Sequence, residues 1–187
     1  MRKIILASAS PRRREILSML GVDFEVITTD ADEKNPGKLG DYARRAAEIK
    51  AEAVRKIKHD GIILAADTIV CIDGCVLGKP NSEADAENML RRLSGRGHSV
   101  YTGFCVIDGG VAKSAFEKTD VYFKKLSPAL LSWYLKTNEW CDKAGAYGIQ
   151  EMGSLLVEKI DGDYFNVVGL PVSRIFGEYI RLSDGAL

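Results

Sequence analysis

The sequence predicts an α/β protein with a mixed β-sheet and flanking helices, on three observations. Short apolar runs alternate with longer segments of helical periodicity, which is typical of α/β proteins. Turn dipeptides separate apolar runs at Asp73-Gly74, Asp108-Gly109 and Asp161-Gly162, and each indicates a β-hairpin. Hairpins mixed with crossover helices predict antiparallel and parallel pairing in one sheet. A chain of 187 residues fits one domain, expected over residues 1–187.

Apolar runs bounded by turn residues predict the strands. We expect strands at residues 3–7, 24–28, 62–66, 69–72, 75–77, 99–107, 111–116, 120–124, 155–160 and 164–168.

Apolar periodicity and capping signals predict the helices. We expect them at residues 11–20, 41–57, 82–93, 128–135 and 172–182. Gly21 marks the end of the first helix, and Ser82 with Asp85 opens the third. The buried face of the second helix is expected to be a stripe of Tyr42, Ala46, Ile49, Ala53 and Ile57.

Charge and composition exclude several classes of protein. The 26 basic and 26 acidic residues cancel, which argues against a nucleic-acid binder with a broad basic surface. No apolar stretch approaches the roughly 20 residues of a membrane span, and the run at residues 4–7 is too short for a signal peptide. The four cysteines match neither a zinc site nor a CxxC motif. We therefore expect a cytoplasmic protein with no nucleic-acid or membrane partner.

The segment Ser8-Ala9-Ser10-Pro11-Arg12-Arg13-Arg14 combines a helix start with three cations. Cations in a first turn oppose the helix dipole, unless a bound anion reverses the sign. Serine hydroxyls, helix N–H groups and guanidinium groups together suit phosphate. A solvated basic turn is the alternative.

Three more residues are candidates for chemistry. Asp67 follows the apolar run 62–66, and the carboxyl end of a strand is where open α/β sheets bind ligands. Its carboxylate suits a divalent metal or a water, although it also suits a loop cap. Lys79, in Gly78-Lys79-Pro80, suits a phosphate or an ordinary surface turn. Lys50 borders the expected apolar stripe, from which it reaches either a site or solvent.

Residues 142–150, DKAGAYGIQ, contain small residues that allow close backbone approach to a ligand. Tyr147 can stack or donate a hydrogen bond, and Gln150 has the donors and acceptor that reading a base edge needs. A loop packed only for shape is the alternative. The familiar GxxxxGK[ST], GxGxxG, HExxH and GxSxG motifs are missing from the sequence.

These segments, in this order, resemble the Maf family of nucleotide pyrophosphatases over almost the whole chain. The matching segments are LASASPRRREIL, YARRAAEIKA, LAADTIV, GKP, LSGRGHSVYTG, DKAGAYGIQ and GDYFNVVGLP. The resemblance implies an elongated fold, like that of inosine triphosphatases, with a central nucleotide cleft. It also implies a homodimer and dependence on Mg²⁺ or Mn²⁺.

The resemblance further implies hydrolysis of a nucleoside triphosphate at the α-phosphorus, giving the monophosphate and pyrophosphate. DKAGAYGIQ is similar to the subgroup that acts on dTTP and UTP, although Glu151 stands where that pattern has glycine. The implied roles are catalytic for Asp67, Lys79 and Lys50, metal-binding for Glu33 and Asp67, and substrate-binding for Ser8, Arg12, Arg13, Thr68, Tyr147 and Gln150.

Two other functions stay open at this stage. A nucleotide-binding regulator of septum formation would keep the phosphate site without needing Asp67 as a base. A pyrophosphatase specific for 7-methyl-GTP would differ in the base-reading segment.

Overall fold

The computed structural model describes residues 2–29 and 39–180. The chain divides into two compact units, and three chain segments form the first of them: Met1–Asp67, Thr102–Glu117 and Gly169–Leu187. The second unit consists of Thr68–Tyr101 and Lys118–Val168. A single domain over residues 1–187 stays a prediction, as do the elongated shape and the central cleft. Glu33 lies outside the described residues.

The described residues form seven strands, which are β1 (Ile4–Ala7), β2 (Phe24–Val26), β3 (Ile62–Ile72), β4 (Cys75–Leu77), β5 (Gly97–Asp108), β6 (Val111–Phe123) and β7 (Val157–Asp161). They form one sheet in the order β2-β1-β3-β5-β6-β7, with β4 paired to β3. β1 is parallel to β2 and β3, whereas β4 runs antiparallel to β3 and β7 antiparallel to β6. The predicted mixed sheet is therefore confirmed.

Local capping signals place most helix starts where the sequence predicts them. The Ser82 hydroxyl accepts the Asp85 N–H, and the Ser127 hydroxyl accepts the Leu130 N–H, so each satisfies one donor of a first turn. The helices are α1 (Pro11–Met19), α2 (Leu39–Arg55), α3 (Glu83–Leu93), α4 (Pro128–Leu135), α5 (Tyr164–Val168) and α6 (Val172–Arg174), which continues as a π-helical turn, Ile175–Tyr179.

In the first unit, α2 packs its backbone directly onto β5. A Cβ atom at Gly103 of β5 would lie 2.1 Å from the carbonyl carbon of Ala43 and from the amide nitrogen of Arg44. Only small side chains fit such an approach. The buried residues of α2 are accordingly Gly40, Ala43, Ala46, Ala47, Ala51 and Val54.

The predicted stripe on α2 is therefore wrong apart from Ala46. Tyr42, Ile49 and Ala53 are only partly buried, and Ile57 lies beyond the helix end with 63% of its surface exposed. The prediction followed apolar periodicity alone, whereas the close backbone approach buries mainly glycine and alanine.

Two predicted strand breaks do not occur. β3 continues through Asp67 and Thr68 to Ile72, so Asp67 lies within a strand and not after one. β6 likewise runs from Val111 to Phe123 without interruption. Polar side chains do not end a strand, because ladder hydrogen bonds come from the backbone.

The predicted strand at 164–168 is instead the short helix α5. The Asp163 carboxylate accepts the N–H groups of Phe165 at 2.7 Å and Asn166 at 3.3 Å, which caps a helix start. The third predicted hairpin is therefore wrong, whereas Asp73 and Gly74 form the first with φ of 54° and 73°.

The second unit has its own apolar core, formed by α3, α4 and the adjoining strands. The free cysteines are distributed unequally: Cys71 and Cys105 are buried, whereas Cys75 and Cys141 are exposed. Among the described residues, no helix is long and apolar enough to cross a membrane.

Candidate active site

The N-terminal candidate segment links β1 to α1 in the first unit. β1 ends at Ala7, and α1 begins at Pro11, whose fixed φ suits a first helical turn. Ser10 occupies the N-cap position, yet its side chain makes no capping hydrogen bond. No acidic residue occurs in this first turn, although acids are the side chains that stabilise a helix start.

The three arginines of this segment lie in different environments. Arg13 is buried at 8% exposure, and its Nε donates to the Gly169 carbonyl oxygen at 2.8 Å while Nη1 donates to Ser8 Oγ at 2.9 Å. Arg12 is partly exposed. Arg14 is exposed and donates to the Ala9 carbonyl oxygen at 3.4 Å. A uniformly solvated basic turn does not describe this arrangement, because Arg13 is inside.

Asp67 and Lys50 meet in the first unit. Lys50 Nζ, on α2, donates to Asp67 Oδ1, on β3, at 2.7 Å, and about four-fifths of each side chain is buried, with exposures of 18% and 17%. The helix position of Lys50 therefore reaches a carboxylate and not only solvent. The pair orients one carboxylate oxygen, and the ammonium group balances the charge that burial would otherwise penalise.

A divalent cation of the expected kind fits this carboxylate in one mode only. Within residues 2–29 and 39–180, no three histidine, cysteine or acidic side chains form a group that could hold a metal by themselves. Mg²⁺, however, is usually held by one or two carboxylates, waters and substrate phosphates. Asp67 supplies such a carboxylate, and Glu33, the other predicted ligand, is outside the described residues.

In the second unit, Lys79 lies in an exposed segment after β4, between Gly78 and the buried Pro80. The Gly78 carbonyl oxygen accepts the N–H of Gly145 at 3.0 Å. This backbone bond joins the segment that carries Lys79 to residues 142–150, the base-reading segment predicted from the sequence. Gly145 has φ of +71°, and a Cβ there would lie 3.0 Å from Val70 Cγ1. Glycine is therefore required at the joint.

Tyr147 is buried within the second unit. Its hydroxyl lies 2.7 Å from His98 Nε2, and its ring meets those of His98 and Phe123 edge to face. Burial raises the pKa of the Tyr147 phenol and lowers the pKa of His98 to about 4. A neutral imidazole next to a neutral phenol gives a buried polar pair inside an apolar core.

Glu139 anchors the chain just beyond Gln150. Its two carboxylate oxygens accept the N–H groups of Met152 at 3.0 Å and Gly153 at 3.2 Å. The base-reading segment is thus held at Gly145, at Tyr147 and beyond its end. Gln150 itself is partly exposed, on a backbone that is held on both sides.

The structure thus places the predicted residues in two groups. The first unit holds Ser8, Arg12, Arg13, Lys50 and Asp67, and the second holds Thr68, Lys79, Tyr147 and Gln150. His98, Glu139 and Gly169 were not predicted as site residues. His98 and Gly169 occur in the matching segments LSGRGHSVYTG and GDYFNVVGLP, so the segments carried a signal; Glu139 carried none, because its role depends on the fold.

A family model described as "Maf-like protein" matches residues 3–180, which contain every described residue named above. The chain belongs to the Maf family. The match extends from β1 to the last described helical turn, so both groups of site residues fall within the family's own sequence pattern.

Several relatives of this Maf chain are similar over nearly their full length. A protein of Syntrophomonas wolfei named "dTTP/UTP pyrophosphatase" is 51% identical over 186 residues, covering 97% of this chain and 98% of the relative. Relatives with the same name from Thermosipho africanus and Pyrococcus abyssi are 49% and 51% identical, covering 93% and 96% of this chain and 90% and 95% of theirs. Among solved structures, the Ham1 protein of Staphylococcus aureus aligns with a TM-score of 0.49 at 16% identity, covering 65% of this chain and 72% of that one.

Proposed function

We propose that this protein is a nucleoside triphosphate pyrophosphatase that hydrolyses dTTP and UTP, or modified pyrimidine triphosphates, to the monophosphate and pyrophosphate. The observation that carries the proposal is the buried ion pair of Asp67 and Lys50, a carboxylate oriented by a fixed cation. The relatives named dTTP/UTP pyrophosphatase, at about half identity over almost the entire chain, support the choice of reaction and substrate.

The reaction requires an activated water and compensation of phosphate charge. Asp67 accepts a proton from the attacking water as the new bond to the α-phosphorus forms and the bond to the bridging oxygen breaks. Pyrophosphate leaves with the electron pair of that bond. Lys50 fixes the orientation of the Asp67 carboxylate, and Arg12 offsets the negative charge that develops on phosphate oxygens.

In the second unit, we assign phosphate neutralisation to Lys79 and base reading to Gln150. Lys79 is exposed and Gln150 partly exposed, and an ammonium group and an amide suit these two tasks. Thr68 and Tyr147 stay predicted as substrate contacts. The Tyr147 hydroxyl is also paired with His98, and this pair supports the backbone of residues 142–150.

A divalent cation, Mg²⁺ or Mn²⁺, belongs to the proposal. Asp67 and the predicted ligand Glu33 would hold it together with the triphosphate. Its chemistry would be charge compensation on the phosphate oxygens. We also propose that the protein is cytoplasmic and acts as a homodimer. Its role would be to remove unwanted triphosphates from the nucleotide pool.

The test is a panel of nucleoside triphosphates, assayed at saturating Mg²⁺ or Mn²⁺ with separate detection of pyrophosphate and orthophosphate. We expect pyrophosphate as the product and higher kcat/KM for dTTP and UTP than for ATP and GTP. Orthophosphate as the product would show attack at the γ-phosphorus and contradict the proposed reaction.

Two further results would replace the proposal with an alternative. Faster hydrolysis of 7-methyl-GTP than of both pyrimidine nucleotides would reassign the substrate. Tight binding of dTTP by calorimetry with no turnover in the presence of either metal would favour a nucleotide-binding regulator.

A further inference from the structure

Ser8 Oγ already accepts two hydrogen bonds from the protein. Arg13 Nη1 donates to it from 2.9 Å, and the backbone N–H of Ser10 donates from 3.3 Å. A guanidinium group and a backbone amide have no lone pair to offer, so the direction of both bonds is fixed. These two donors therefore occupy the two lone pairs of the hydroxyl oxygen.

The hydroxyl proton of Ser8 is consequently left to donate. Ser8 is buried, with 7% of the residue's surface exposed, and no protein acceptor for this proton is present among the hydrogen bonds of the described residues. A buried hydroxyl with no acceptor costs free energy that a bound acceptor recovers. An unprotonated phosphate oxygen is such an acceptor. Ser8 lies just before α1, whose first turn contains no acidic residue that would repel a phosphate.

Arg13 enforces this polarity and ties it to a distant part of the chain. Its Nε donates to the carbonyl oxygen of Gly169, 156 positions away, while the same guanidinium plane reaches Ser8. Gly169 has φ of +120°, a backbone conformation that residues other than glycine rarely adopt. The position of the guanidinium group is therefore fixed from the Gly169 side.

We infer that Arg13 is a positioning residue: it holds the Ser8 hydroxyl as an obligatory hydrogen-bond donor to an oxygen of the substrate's phosphate chain. Arg13 then contributes to the reaction through Ser8, and Arg12 contributes independently of Ser8. This inference rests on the proposed function, because it specifies how the same phosphate chain is bound.

A double-mutant cycle measures this dependence. The variants are Ser8→Ala, Arg13→Lys and the combination of the two, with kcat and KM determined for dTTP. Lysine keeps the charge and most of the stem of Arg13 but lacks the fork that contacts Gly169 and Ser8 together. Arg12→Lys, alone and combined with Ser8→Ala, is the matched control on the neighbouring position.

Ser8→Ala and Arg13→Lys should each lower kcat/KM by about 10- to 100-fold, the usual range for losing a hydrogen bond to a charged group. In the Ser8→Ala background, Arg13→Lys should cost no more than about threefold. Arg12→Lys should cost the same factor in both backgrounds, as independent sites do. A full loss from Arg13→Lys without the Ser8 hydroxyl would overturn the inference.

A purely structural role for Arg13 would move different quantities. It would lower the thermal unfolding temperature of Arg13→Lys while leaving kcat and KM of the folded enzyme near wild type, and that result would also overturn the inference. If Arg13→Lys does not fold, Gly169→Ala provides a second way to shift the guanidinium group. It should lose activity in the wild-type background and little in the Ser8→Ala background.

Calorimetry with inorganic tripolyphosphate separates this inference from the proposed function. The probe has phosphate oxygens but no base, and its affinity should fall for Ser8→Ala and Arg13→Lys alike, without an additive fall in the double variant. If wild type neither binds tripolyphosphate nor hydrolyses any nucleotide, the proposed function fails and this inference fails with it. Additive losses in an active wild-type enzyme would overturn the inference alone.

Discussion

Lys50 and Asp67 come from a helix and a strand 17 positions apart in the sequence, and their side chains form an ion pair of 2.7 Å. The pairing gives Asp67 a defined orientation before any substrate is present. We therefore expect a mutation of either side chain to disturb the function of the other.

Asp67→Asn should fold normally, because asparagine is nearly the same size and can still accept from Lys50. Nucleotide should still bind, with unchanged or tighter affinity, because the variant removes one negative charge from the proposed phosphate-binding site. Loss of the general base should lower kcat by about 10²- to 10⁴-fold. Pyrophosphate release at saturating dTTP and metal, with affinity by calorimetry, measures both quantities.

The matched control for this variant is Asp73→Asn. Asp73 lies in an exposed hairpin turn with φ of 54°, which asparagine adopts equally well, so its kcat should match wild type. Turnover by Asp67→Asn within a few-fold of wild type would exclude Asp67 as the base.

Gln150→Ala should weaken base discrimination more than phosphate binding. An unpaired polar group of the base typically costs about 1–3 kcal/mol, so the ratio of kcat/KM for dTTP and ATP should fall by about 5- to 150-fold. The affinity for tripolyphosphate should be unchanged. Asn81→Ala, in an exposed turn of the same unit, is the control, and an unaltered dTTP-to-ATP ratio in Gln150→Ala would remove base reading from Gln150.

His98 should make the folding free energy depend on pH in a defined window. Burial lowers its pKa from 6.5 to about 4 in the folded protein, although Asp120 opposes part of that shift. Between those values the unfolded chain binds the extra proton, so stability is full above pH 6.5 and falls as the pH decreases to about 4. The loss from this one group is about 3 kcal/mol.

Urea unfolding at several pH values measures this contribution as a difference from His98→Gln, which lacks the titrating group. Parallel curves for wild type and His98→Gln between pH 4 and pH 6.5 would contradict the buried neutral imidazole.

Gly103→Ala should destabilise the first unit strongly. The new methyl group would meet the α2 backbone at Ala43, which cannot move as a flexible side chain can. Overpacking of this kind costs about 1–3 kcal/mol or more, and the variant should unfold at lower urea than wild type. Gly177→Ala, with nothing within 4 Å, should retain wild-type stability, and equal midpoints for the two variants would argue against the close approach.

Local chemistry explains which parts of the fold the sequence could predict. α4 begins and ends as predicted, at Pro128 and Leu135. Its start is defined by two neighbouring residues, the cap Ser127 and Pro128 in the first turn. The buried face of α2 was mispredicted, because the need for small residues comes from Gly103, about sixty positions away. Asp163 was read as a turn residue, since its capping of α5 depends on the conformation of residues that follow it.

In the candidate site, too, the sequence could predict local features but not long-range contacts. Residue types and the family resemblance identified Asp67 and Lys50, but their direct pairing required the packing of α2 beside β3. Residue type alone did not distinguish the three consecutive arginines, and the resemblance named Arg12 and Arg13 together. The Gly169 carbonyl oxygen is what holds Arg13 in the interior. Long-range partners of this kind leave no local signal.

The reactivity of the four cysteine thiols can report local unfolding of each unit. Cys105 belongs to the first unit and Cys71 to the second, both are buried, and burial raises the pKa of the Cys105 thiol to about 12 and that of Cys71 above its usual value. A maleimide should label Cys75 and Cys141 at once, but Cys71 and Cys105 only when the surrounding structure opens. Equal labelling rates for the two buried thiols would mean that the two units open together in one cooperative step. Different rates would mean that each unit opens independently.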